Sequence, residues 1–101
     1  MTSQAIGKFQ LENLVRNRIP FLLLNLGVDM TGTFPAFFQS YMESQMRTVE
    51  PASALEHVKI FSKDISTAIV VIGSSPIQAG TCAQDLMNAG YGNVYYLDES
   101  L

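Results

Sequence analysis

The stretch "AIVVIGSSPIQAG", residues 68 to 80, decides the fold. Its first half is a continuous apolar run rich in β-branched residues and too short for a globular helix, as expected of a strand covered on both faces. Gly73, Ser74, Ser75 and Pro76 then form a small-residue turn, with Pro76 suited to the first position of a helix. A strand running through a loop into a helix is where many α/β enzymes keep their reactive group. Here the loop has no charged and no strongly nucleophilic side chain.

Working outward, Ala79, Cys82, Ala83, Leu86 and Met87 fall on one face of a helix from about Ile77 to Ala89, with Gly90 as its stop. "NVYYL", residues 93 to 97, follows as a β-rich segment. Upstream, "TAIVVI" (67 to 72) and "FLLLNL" (21 to 26) read as buried strands, and Phe9, Leu11, Leu14 and Val15 mark a short amphipathic helix that Pro20 ends. Ser53 and Glu56, three apart, have capping-box spacing at the start of a helix reaching about Phe61. Between these lie Phe34, Phe37, Phe38, Tyr41, Met42, Met46 and Val49 at spacings of three and four, predicting a helix from 34 to 49 with Pro35 in its first turn. Strands alternating with helices imply a three-layer α/β domain: a mostly parallel sheet with helices on both faces, spanning residues 1 to 101 as one unit.

Composition agrees and narrows the function. A chain of 101 residues supports one hydrophobic core, and 48% hydrophobic with 15% charged residues is too apolar for disorder. The net charge is -3, and all six Lys and Arg residues precede residue 64, which argues against nucleic acid as a partner. Residues 65 to 84 are uncharged but are interrupted by Ser, Thr, Gln, Gly and Pro, so no membrane span is expected. The N-terminus lacks the pattern of a secretory signal, and a lone Cys82 forms no internal disulfide, making the cytoplasm the default location. One His and one Cys do not make a closed zinc site, and no metal or cofactor is expected.

The segment "AIVVIG", its loop and the helix ending "DLMNAGYGNVYYL" resemble the rhodanese-like (sulfurtransferase) family, which shows strand, loop, helix, Gly-Tyr and Asn-Val in that order. "LENLVRNRIPFLLLNL" is similar to that family's opening helix and first buried strand. The resemblance covers roughly half to two-thirds of the chain and implies the corresponding α/β fold. Sulfurtransferases of the family carry a loop resembling Cys-x-x-Gly-x-Arg. Counting back from Gly90 places Gly73 at the Cys, Pro76 at the Gly and Gln78 at the Arg, with Ala79 at a following Ser. Asn25 stands where the family usually has Asp, and Gly27 where it has Arg. The Gly-rich turn and further helix usual after the last strand would fall beyond Leu101. The resemblance thus implies a fold retained and a loop stripped of its chemistry.

Gly73, Ser74, Ser75 and Gln78 are ligand-loop candidates, since a helix N-terminus attracts small anions. The same residues also suit an ordinary strand-to-helix connection. Ser74 or Ser75 as a nucleophile would need a base, for which the sequence offers His57. Cys82, on the apolar stripe, reads either as a displaced nucleophile or as a small buried hydrophobe. Phe34, Phe38, Tyr41, Met42 and Met46 are candidates for an association surface, to a protein partner or a second copy in a homodimer, or for core. The function expected is a non-catalytic binding or regulatory module. The alternatives are a small sulfurtransferase or hydrolase using Cys82 or Ser74/Ser75, and an anion-binding α/β domain.

Overall fold

The computed structural model describes residues 4–17, 21–27, 46–50, 53–61, 65–73 and 75–98. In chain order they form β1 (Gln4–Ile6), α1 (Lys8–Arg16), β2 (Leu22–Asn25), β3 (Met46–Thr48), α2 (Ala54–Phe61), β4 (Ile69–Ile72), α3 (Pro76–Asn88) and β5 (Val94–Leu97). The strands make one sheet in the order β1-β5-β4-β2-β3, with every pairing parallel.

Alternation along the strands explains the three layers. Ile69 and Val71 of β4, Leu24 of β2 and Val94 of β5 point to one face, where Ala54 and Val58 of α2 and Ala79, Cys82, Ala83 and Leu86 of α3 cover them. Val70, Ile72, Leu23 and Leu97 point to the other, beneath Leu11 and Val15 of α1. β4 is buried at all four positions because it lies at the centre with helices on both sides, and its unbroken apolar run is the sequence expression of that position.

Two strands depart from the sequence reading. Gln4–Ile6 was not expected as a strand, yet it adds to the sheet edge, pairing Ala5 with Tyr96 and Ile6 with Leu97. The helix expected from 34 to 49 does not extend over its last residues: Met46–Thr48 is strand β3, pairing Leu23 with Met46 and Asn25 with Thr48. The backbone of β2 offers this segment a ladder of hydrogen bonds, continued by the Val49 N–H donating to the Asn25 carbonyl at 2.9 Å, and that tertiary partner overrides the helical spacing of Met42, Met46 and Val49. The rest of that helix, with Phe34, Phe38, Tyr41 and Met42, lies outside the described residues. Ser53, read as a cap, turns its hydroxyl back to donate to the Glu50 carbonyl at 3.3 Å. Helices α1 and α3 and the strands β2, β4 and β5 stand where the sequence places them, within a residue or two at their ends.

Candidate functional site

The loop between β4 and α3 leaves the carboxyl end of the central strand. Its neighbour is the end of β2: Asn25 pairs with Ile72, and the Leu26 N–H donates to the Ile72 carbonyl at 2.8 Å. Asn25 is the polar side chain buried in the core among the described residues. Its Oδ1 accepts the Gly27 N–H at 2.9 Å, closing a local turn, and its Nδ2 donates to the Met46 sulfur at 3.5 Å. A polar residue inside an apolar run thus fixes the strand exit beside the loop. In the sequence Asn25 stands as a departure from the family pattern, and nothing there marks its structural role.

On the helix side, Ser75 is the N-cap of α3 in an extended conformation, and its Oγ accepts the Gln78 N–H at 3.2 Å. Pro76 has no N–H, and the Ala79 N–H donates to the Ser75 carbonyl at 3.1 Å. Of the donors in the first helical positions after the cap, this leaves the N–H of Ile77 for any other acceptor. At the start of α3, the N–H groups of Gln78 and Ala79 are thus paired within the protein.

Gly73 is buried at the start of this loop. A Cβ built on it would lie 2.8 Å from Gln78 Oε1, 3.1 Å from the Ala79 backbone nitrogen and 3.4 Å from Gln78 Cβ. The Gln78 carboxamide oxygen thus occupies the space that a side chain at position 73 would enter. Of the loop candidates, Gly73, Ser75 and Gln78 converge here; Ser74 lies outside the described residues.

Cys82 is buried on the face of α3 that meets the sheet. Burial, with the charge of Asp85 adding to it, pushes its thiol from the ordinary 9.0 up to about 11, so it is a neutral thiol at physiological pH. His57 is half-buried on α2, and Met46 is half-buried on edge strand β3 against the cluster under α1. Among the described residues no group of three His, Cys, Asp or Glu side chains comes together that could hold a metal, and no helix is long and apolar enough to cross a membrane.

The sequence matches no family profile and no curated protein. Solved structures do match in fold. A thiosulfate sulfurtransferase from Pseudomonas aeruginosa superposes on 97% of this chain with a TM-score of 0.72 at 18% identity, and this chain spans 18% of its length. The Alr3790 protein from Anabaena sp. matches 95% of the chain and 80% of its own, with a TM-score of 0.71 at 15% identity. A rhodanese-like domain from the same Anabaena protein matches 80% of the chain and 85% of its own, with a TM-score of 0.57 at 18% identity. The parallel α/β architecture is that of a rhodanese-like domain, as the strand, loop and helix around Gly73 imply.

Proposed function

We propose that this rhodanese-like domain is a non-catalytic binding or regulatory module. The observation that carries the reading is Gly73: it stands where the resemblance places the sulfur-bearing residue, it has no side chain, and the Gln78 oxygen lies 2.8 Å from where a Cβ would begin. A persulfide carrier needs a thiolate held at the helix start, and this loop offers no sulfur. The remaining thiol, Cys82, is buried and protonated, which counts against its use as a displaced nucleophile. Ser75 already uses its oxygen as a helix cap.

The small-anion alternative draws support from the helix start facing the end of the central strand. It loses support from the same hydrogen bonds, since Ser75 and Pro76 leave few free donors and no cation follows Lys63 in the sequence.

The test is sulfur transfer from thiosulfate to cyanide, followed as thiocyanate. The expected result is no formation above a control without protein. Turnover that disappears in Cys82→Ser would replace the module with a sulfurtransferase that uses a different cysteine.

A further inference from the structure

The Asn25 carboxamide, 2% exposed, reaches from β2 to edge strand β3, where its Nδ2 donates to the Met46 sulfur at 3.5 Å. A thioether is a weak acceptor for a donor held this deeply. The amide is oriented from its other end, because Oδ1 accepts the Gly27 N–H at 2.9 Å and so sets the direction in which the amino group points. Met46 is held as well. Its backbone pairs with Leu23, and its carbonyl accepts the Arg47 guanidinium at 3.1 Å, while the residue as a whole is half-buried at the margin of the sheet.

The chemistry of the pair selects the reaction. A thioether has lone pairs and no proton to lose, and its characteristic change is two-electron oxidation to the sulfoxide. With a hydroperoxide, a sulfur lone pair attacks the terminal oxygen and the O–O bond breaks. Sulfur loses two electrons, and the peroxide leaves as water or an alcohol once the proton of the transferred oxygen moves to the departing one. At a methionine packed among apolar groups, the new polar oxygen has nothing to bond. Here a donor is already in place, since the Asn25 N–H aimed at sulfur can meet an oxygen, the stronger acceptor. Met87 is the internal contrast: it is half-buried against the apolar cluster beneath α3, and among the described residues no hydrogen bond ends on its sulfur.

We propose that Met46 is a modification site, oxidised to the sulfoxide by a hydroperoxide, with the Asn25 carboxamide as the built-in donor to the new oxygen. Because Asn25 also holds the Gly27 N–H and pairs with Ile72, the modification is felt at the end of β2, beside the loop that begins at Gly73. The proposal does not rest on the binding-module reading, and sulfur transfer by the chain would leave it standing.

The experiment treats the whole protein, labelled with nitrogen-15, with hydrogen peroxide and follows two readouts in time: tandem mass spectrometry of the peptides carrying Met46 and Met87, and the side-chain amide signals of Asn25. The expected result is a gain of one oxygen at Met46 ahead of Met87. At the same rate, the original Asn25 side-chain signals should give way to new ones, at least one of them shifted downfield as a stronger acceptor requires. In Met46→Leu, peroxide should leave the Asn25 signals where they are, and the same shift there would overturn the proposal by placing its cause at another methionine. Oxidation of Met87 with Met46 still a thioether overturns it too. So does an oxidised Met46 with Asn25 signals unmoved or moved upfield, and that comparison uses the unaltered sequence, so it stands even if Met46→Leu fails to fold.

Discussion

If the Gln78 side chain fills the space above Gly73, adding one methyl group at Gly73 should be felt, and removing Gln78 should relieve it. The perturbation is Gly73→Ala, measured alone, with Gln78→Ala, and as the double variant. The new Cβ would begin 2.8 Å from Gln78 Oε1, well inside an ordinary carbon–oxygen contact, and 3.1 Å from the Ala79 nitrogen, which belongs to the helix and moves less readily. Overpacking a buried site costs about 1–3 kcal/mol, while replacing Gly with Ala at a compatible backbone position recovers about 0.4–1 kcal/mol through the unfolded chain. The single variant should therefore lose about 0–2.5 kcal/mol, the low end applying where the Gln78 carboxamide swings aside. In the double variant the nearest clash is gone, so the loss should fall short of the sum of the singles by about 0.5–1 kcal/mol. Urea unfolding followed by circular dichroism of the four proteins measures both numbers. Singles that add to within about 0.3 kcal/mol would refute the argument that Gln78 occupies this space.

Two further outcomes follow from the same geometry and a third from the sequence. Because burial favours the neutral thiol, the folded chain holds the Cys82 proton to higher pH than the unfolded chain; this contribution is complete below about pH 9.0 and is lost as pH rises toward about 11, amounting to roughly 2–3 kcal/mol at about 1.36 kcal/mol per pKa unit. Urea midpoints at intervals from pH 8 upward should show a steeper decline for the native sequence than for Cys82→Ala; parallel curves would contradict the raised pKa. Ser75→Ala removes the cap on the Gln78 N–H and should cost about 1 kcal/mol by thermal or urea unfolding, whereas an unchanged midpoint would show that the cap contributes nothing to α3. The apolar stretch containing Phe34, Phe38, Tyr41 and Met42 should support a homodimer, visible by light scattering across a dilution series; a strict monomer at high micromolar concentration would exclude it.

What the sequence could convey depended on how local each cause was. β2 and β4 were legible because burial on both faces writes itself into consecutive apolar residues, and α3 because its sheet-facing stripe recurs with helical spacing. β1 was not, since "QAI" has one large apolar residue and becomes a strand through its pairing with β5, about 90 residues away. Met46 shows the opposite failure, where a real three-and-four spacing coincided with a segment that the edge of β2 holds extended. The site divides in the same way. The stop of α3 was legible, since Asn88 ends the helix and Gly90 adopts a positive φ of 110°, and the count back from Gly90 to Gly73 rests on such local quantities. That Gln78 folds over Gly73 depends on side-chain direction within the turn, which residue types do not specify. The two tyrosines of β5 show the same limit. Tyr95 and Tyr96 are equivalent in sequence, yet strand alternation sends Tyr95 toward the cluster under α1 and Tyr96 beneath α3, where its ring lies under Gly80. Gly80 would read in isolation as a weak point in a helix, costing about 1 kcal/mol relative to Ala. Gly80 lies over the Tyr96 ring, where a new Cβ would meet Cε2 at an ordinary 3.4 Å contact, so Gly80→Ala should strengthen the helix without overpacking the ring. A raised thermal midpoint is therefore the expected result, and a lowered one would show that the close approach of α3 to this ring requires glycine.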